Sequence, residues 1–428
     1  MRRVATLATL ALFVGCDDDP TAAPDAAIMA PMVMGEAPAT HPAHTALPLV
    51  VTAAPNEVLT LTVTRGGGAL TTDTVTTDAE GHATLPWMLG VAPVDNTVTV
   101  QGTAAPDETL QITVRGTLAA PIRAEPFGDV NAFLTAEGHT TSTEDLTFTT
   151  DGLLMGAPEG LLHVAADGTT SRHLSSPSIS RVWGFAVDAA GTLWGVDSEA
   201  SRLISIQPDG TVEEALTTDG DQPLAGPNYV AVGPQGRIYL TDPCLGEIIR
   251  LDPTTGETAI HRFDLQTEGG PNGLALSPDG STFYVATENT GLLCQHGDVT
   301  FDEPIAGVYR LDLNDFEGAH QPIAEGIGLF GDGLALDIEG NLYVVVDTEE
   351  NVQLKESLVV VFPNGEAPGT SFLVAGEKVL FANVAFGQGD YGDTTLYIAL
   401  LAIAPFTTGD SRGLERFDVG IAGQPLLP

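Results

Sequence analysis

The chain has 428 residues, with 16 Lys or Arg against 57 Asp or Glu and a formal net charge of −41. So acidic a surface repels phosphate backbones and anionic headgroups, which excludes nucleic acid and lipid surfaces as default partners. With 43% hydrophobic residues and a mean hydropathy of +0.13, there is enough apolar surface for a folded core, in two domains or one large one. Only Lys355 and Lys378 are lysines. That composition suits a salty habitat, and equally a generic acidic exported protein.

In chain order, Arg2 and Arg3 precede an apolar run, Val4 to Gly15, too short to span a bilayer and of signal-peptide length. Phe13-Val14-Gly15-Cys16 resembles a bacterial lipobox, which implies a lipoprotein signal at 1–15 and lipidation of Cys16. Residues 16–45, rich in Asp, Ala, Pro and Thr, read as a flexible tether. The chain is therefore expected in the bacterial cell envelope, on its periplasmic or outer-surface side, held to the membrane only by an N-terminal lipid. An oxidising compartment would permit a disulfide between the two remaining cysteines, Cys244 and Cys294, with two unpaired thiols as the alternative.

Residues 46–120 alternate with period two, as in Val58-Leu59-Thr60-Leu61-Thr62-Val63 and Thr97-Val98-Thr99-Val100, with turn signals at Gly66-Gly67-Gly68 and Asp78-Ala79-Glu80-Gly81. This pattern predicts a β-sandwich. The run Val75 to Gly90, followed by Asn96 to Val100, resembles bacterial Ig-like repeats of the invasin type, which implies a spacer or adhesive module. Trp87 is expected in its core.

From 121 to 428 the pattern repeats. Strands opening at Glu144, Trp183, Asn228, Asn272, Asp332 and Ala382 are spaced 39, 45, 44, 60 and 50 residues apart, and each is followed by a Gly turn or Gly387 and a second apolar strand. Six such units predict an all-β, six-bladed β-propeller, with an insertion at about 288–307 that holds Cys294 and His296. One position per blade then faces the central channel, and four of the six are oxygen donors: Glu144, Asn228, Asn272 and Asp332. Two carboxylates and two amides are hard ligands that suit Ca²⁺ first and Mg²⁺ or Mn²⁺ less specifically. The absence of Cys and His from the set makes Zn²⁺ the least favoured divalent ion. The competing reading is that Asn-Gly and Asp-Gly are turn residues at strand entry.

Gly226-Pro227-Asn228, Pro271-Asn272-Gly273-Leu274-Ala275-Leu276-Ser277-Pro278-Asp279-Gly280 and Asp332-Gly333-Leu334-Ala335-Leu336-Asp337 resemble the SMP-30/gluconolactonase family, as does Asn383-Val384-Ala385-Phe386-Gly387. The opening Glu144-Asp145-Leu146 is closer to the related paraoxonase-type calcium propellers. The resemblance implies a six-bladed propeller and metal-dependent lactonase chemistry. By motif, the family's metal-holding Glu, two Asn and Asp fall on Glu144, Asn228, Asn272 and Asp332. Asp332 is also the candidate base for a water. Trp183, Tyr229 and Asp145 are expected to line the substrate pocket, with Tyr229 standing where the family commonly has Asp. No Gly-x-Ser-x-Gly elbow suggests a serine hydrolase. Two functions stay open: a lipid-anchored, metal-dependent hydrolase of small lactones or related esters, and a non-catalytic envelope propeller that binds a ligand or protein partner and keeps the metal for structure.

Overall fold

The computed structural model describes residues 32–33, 37–104, 106–118, 124–139, 144–290, 294, 305–350, 353–361, 371–373, 380–401 and 413–425. The expected signal segment, Cys16 and His296 lie outside these residues, as does most of the insertion. No helix among the described residues is long and apolar enough to cross a membrane.

The six sequence repeats are six antiparallel blades. Their inner strands are Leu146–Thr149, Val182–Val187, Val230–Val232, Gly270–Leu276, Phe330–Leu336 and Leu380–Phe386. They neighbour one another in chain order, and the last meets the first. Each strand is hydrophobic on both faces because each face feeds a different seam between blades. In Leu342–Glu350, for example, Tyr343 and Val345 pack toward the sixth blade, while Val344 and Val346 pack toward the fourth. Six seams hold six apolar clusters. Within blades two to six, an alanine on the inner strand faces an aromatic ring on the second: Ala186 and Trp194, Ala231 and Tyr239, Ala275 and Tyr284, Ala335 and Tyr343, Ala385 and Tyr397. Small opposite large lets the cross-strand pair pack without overfilling the seam.

The sixth blade is not completed by the C-terminal part of the chain. Its fourth strand is Glu125–Pro126, which pairs antiparallel with Leu414–Asp418 through Glu125 with Arg416 and Pro126 with Glu415. A strand from ahead of the first blade thus covers the open edge of the last. The short helix Val130–Ala136 follows, capped by Asp129, and sends Val130 and Leu134 into the seam between blades six and one.

Ahead of the propeller, two sheets of four and five strands form a sandwich. Its core combines Leu49, Leu85 and Trp87 of one sheet with Leu61, Val98, Val100 and Val114 of the other. The stretch expected as a tether contributes two of the strands, so the sandwich starts before residue 46. Met32–Val33 pairs with Val51 and Thr52, and Thr40–Pro42 runs parallel to Arg115 through Thr117. Both cover sheet edges that would otherwise present unpaired backbone. The Gly66-Gly67-Gly68 run is more than a turn. Gly66 donates its N–H to Glu339 Oε1 at 2.7 Å, Arg65 Nε lies 3.5 Å from Glu339 Oε2, and a Cβ on Gly67 would sit 2.0 Å from the Gly420 carbonyl oxygen. Ala92 and Val94 add to the seam between blades five and six. The sandwich is therefore docked on the propeller rim.

Cys244 and Cys294 form a disulfide, with Cα atoms 5.3 Å apart. It ties the turn after Ile238–Asp242 to the segment beyond Thr282–Glu288, across a sequence separation of 50. In the chain-entropy account, a loop of that size stabilises the fold by up to about 4 kcal/mol. Reduction, or the Cys244→Ser/Cys294→Ser pair, should lower unfolding stability in urea by ~2–4 kcal/mol; an unchanged midpoint would show that the seams alone hold the two blades.

The glycines that follow three ring positions do not serve as turns. None of Gly184, Gly273 and Gly333 has a positive φ. A Cβ on Gly184 would meet the Asn228 carbonyl oxygen at 2.2 Å, one on Gly273 the Asp332 carbonyl oxygen at 2.5 Å, and one on Gly333 Asn383 Oδ1 at 1.9 Å. Each glycine lets one inner strand approach the next. Gly273→Ala should cost on the order of 3 kcal/mol, because the obstacle is backbone and cannot rotate away; the loss would be read from urea or thermal unfolding, and a change below the scatter of surface substitutions would refute this packing account.

Candidate metal centre in the propeller channel

The ladder between the first two strands of a blade is interrupted where the ring residue stands. The register shifts between Val182 and Phe185, between Pro271 and Leu274, between Gly331 and Leu334, and between Phe381 and Asn383. Trp183, Asn272, Asp332 and Ala382 sit inside these irregularities, two residues before the pairs of Phe185, Leu274, Leu334 and Val384, although in the sixth blade Asn383 already pairs with Ala399. Such a local bulge re-aims the side chain. In the first and third blades, Glu144 and Asn228 likewise lie two residues ahead of the first pairs, Leu146 with Met155 and Val230 with Leu240. The six positions chosen from the repeat spacing therefore share one structural register.

Each of the two expected asparagines is held by a carboxylate, in two separate pairs. Asn228 Nδ2 donates to Glu144 Oε1 at 2.8 Å, and Asn272 Nδ2 donates to Glu288 Oε2 at 3.2 Å. Glu144, Asn272 and Glu288 are buried, while Asn228 and Asp332 are half-buried. Two buried oxygens, Glu144 Oε2 and Asn272 Oδ1, have no hydrogen-bond partner. Burial pushes the Glu144 carboxyl up to about 7, against the opposing effects of the Asn228 hydrogen bond and Arg181. Burial likewise takes Glu288 to about 8, with the Glu144 charge adding to it. Asp332 is held well above the usual carboxylate range, by burial first and then by Glu144, Glu288, Asp347 and Asp145. Too many acids are gathered in one desolvated place for all to ionise without a countercharge.

Among the described residues, no three His, Cys, Asp or Glu side chains are grouped to hold one ion. A cation here would have to draw on the amide oxygens as well. The donor set meets that requirement with two carboxylates and two amides, and with orphaned oxygens on Glu144 and Asn272. All are oxygens, the donor type that hard cations take. The residues present therefore fit a divalent cation.

The expected pocket residues divide. Trp183 is half-buried and packs beside the seam of blades two and three, and its Nε1 has no hydrogen-bond partner. Tyr229 is half-buried, and its phenol is pushed above the ordinary range by burial and then by the Asp145 charge. Asp145 is not a pocket wall. Its Oδ1 accepts from the Leu146 N–H at 2.7 Å and from Asn383 Nδ2, and its Oδ2 accepts from the Phe185 N–H at 2.9 Å. With its acceptors engaged it ties blades one, two and six together. Burial still raises it to about 7.

Glu288 escaped the repeat analysis because it lies on a second strand. A signal was present. In blades two and three an acid on that strand follows two residues after Gly195 or Leu240, as Asp197 and Asp242. In blades four and five it comes one residue later relative to Val285 and Val344, as Glu288 and Asp347.

Comparison with known proteins places the propeller in a family. The SMP-30/Gluconolactonase/LRE-like region family matches residues 157–399. A gluconolactonase of Zymomonas mobilis subsp. mobilis (strain ATCC 31821 / ZM4 / CP4) is 24% identical over 227 residues, covering 48% of this chain and 57% of that protein. This chain thus spans little more than half the length of that relative. Among solved structures, a gluconolactonase from Xanthomonas campestris aligns with TM-score 0.49 and 19% identity, over 67% of this chain and 87% of that one. A virginiamycin B lyase from Staphylococcus aureus aligns with TM-score 0.42 and 15% identity, over 65% and 85%. With more than half of its residues inside the family match, the chain belongs to the SMP-30/gluconolactonase/LRE-like family.

Proposed function

We propose that the chain hydrolyses lactones or related esters at the mouth of the propeller channel, with a divalent cation, Ca²⁺ before Mg²⁺ or Mn²⁺, held by Glu144, Asn228, Asn272 and Asp332. The observation that carries this reading is the pair of buried, unpartnered oxygens, Glu144 Oε2 and Asn272 Oδ1, among carboxylates whose charges oppose one another. When bound, such a cation supplies Lewis-acid polarisation of a carbonyl and stabilises negative charge on its oxygen. Asp332 receives a proton from the attacking water, whose oxygen bonds to the carbonyl carbon. The ring C–O bond breaks, and Asp332 returns the proton to the departing alkoxide, leaving a hydroxy acid. Trp183 and Tyr229 form apolar walls that orient the substrate and exclude bulk water. Asp145 and Asn383 hold the first and last inner strands in place behind them. The sandwich acts as an Ig-like spacer between this site and the membrane.

Calorimetric titration of Ca²⁺ into the chelator-stripped chain should show one site. Asp332→Ala should weaken it by more than ~100-fold, beyond the loss typical of a residue that merely supports a ligand. Asp332→Asn should lower lactone turnover by about 10²–10⁴-fold, the usual contribution of a general base. Binding without turnover on any lactone or ester would instead support the propeller as a ligand- or partner-binding module with a structural ion; no binding would sink both.

We further propose attachment to the cell envelope through lipidated Cys16, on the strength of the Arg2-Arg3 charge, the apolar run and Gly15-Cys16. Cys16→Ser should move the expressed chain from the membrane fraction to the soluble fraction of a bacterial host; unchanged fractionation would refute the anchor.

A further inference from the structure

An asparagine in a metal site can present either end of its amide, and only the carbonyl end ligates a cation. What turns that end inward is therefore part of the site. For Asn228 the answer lies within the donor set, since Glu144 Oε1 accepts from its amino group. For Asn272 it lies outside. Its amino group donates to Glu288 Oε2, and its carbonyl oxygen is the buried atom left without a partner. Glu288 Oε2 is the acceptor in this pair, and an accepting oxygen can hold only the amino end of an amide. The carbonyl end then points away from Glu288.

Glu288 is built for that position. It ends Thr282–Glu288, is 5% exposed, and pairs with both Gly270 of its own blade and Phe330 of the next. Its place is pinned from two blades at once. The acids one register earlier in the preceding blades are spent on loops. Asp242 accepts from the Ala225, Gly226 and Leu245 N–H groups. Asp197 accepts from the Ser180 and Arg181 N–H groups and pairs with Arg202. Shifted by one residue along the strand, the side chain of Glu288 leaves the loops and reaches Asn272. Among the described residues, no Lys, Arg or His pairs with it.

We propose that Glu288 is a positioning residue that fixes the Asn272 amide with its carbonyl oxygen toward the cation, so that the site works through a fifth residue outside the ring. This rests on the metal reading above. The residue acts through a hydrogen bond and not through its charge, so a neutral acceptor of the same length should replace it.

The test is Ca²⁺ calorimetry on the full chain as wild type, Glu288→Gln, Glu288→Ala, Asn272→Ala and the Glu288→Ala/Asn272→Ala double variant, with unfolding of each followed in chelator. Glu288→Ala should weaken Ca²⁺ by ~10–100-fold, whereas Glu288→Gln should stay within about threefold. In the Asn272→Ala background, Glu288→Ala should add little, because the pair acts as one unit. Equal losses in the Gln and Ala variants would show direct ligation by the carboxylate and overturn the positioning role. So would an unchanged Glu288→Ala, or additive losses in the double variant. A wild-type chain that takes up no Ca²⁺ would remove the metal reading and this role with it, an outcome distinct from the other three.

Discussion

Everything at the channel depends on how near six inner strands can stand to one another. That distance is set by hydrogen in place of Cβ at Gly184, Gly273 and Gly333. Where these glycines sit, one backbone rests on the next, and the residue ahead of each, Trp183, Asn272 or Asp332, falls at a break in the ladder. The interrupted ladders do the rest, since a residue outside the regular pairing is free to aim inward. Close packing and an irregular pairing register thus cooperate, and neither would gather the donors alone.

The same crowding creates the electrostatic problem that defines the site. Glu144, Asp145, Glu288 and Asp332 lie close enough for their charges to act on one another, in a place that water does not screen. Asp145 is accommodated by three donors from three blades. Glu144 and Glu288 each have one amide partner, and Glu144 keeps an unpartnered oxygen. An arrangement this unfavourable in isolation is characteristic of a place where function outweighs local stability.

Much of this was legible in the residues. The repeated strand openings, each followed by a glycine turn and a second apolar strand, marked the blades. Their spacing put all six ring residues in the correct register. What was misread had a physical cause. The competing turn reading of Asn-Gly and Asp-Gly rests on glycine as the usual answer to a positive φ; at Gly273 and Gly333 it answers a steric demand from a neighbouring blade, which no single-strand pattern reveals. Asp145 was expected at the pocket, but its oxygens are taken up by donors from three blades, which a single-strand pattern does not reveal. Glu125–Pro126 is two residues long and has no periodicity to detect. Glu288 was hidden by a one-residue offset whose meaning appears only once two blades are side by side.

The closing strand also bears on how the molecule carries mechanical load. Glu125–Pro126 lies between the sandwich and the first blade, so the last sheet is sealed by the very segment that connects the two bodies. Were the sandwich to swing freely, any tug on the chain ahead of it would be transmitted to those two backbone pairs and would peel the ring open at its thinnest point. The contacts of Arg65, Gly66, Ala92 and Val94 with the fifth and sixth blades divert that force. Tension arriving from upstream meets these polar and apolar contacts before it reaches the seal, so the docked sandwich serves as a strain relief for the propeller.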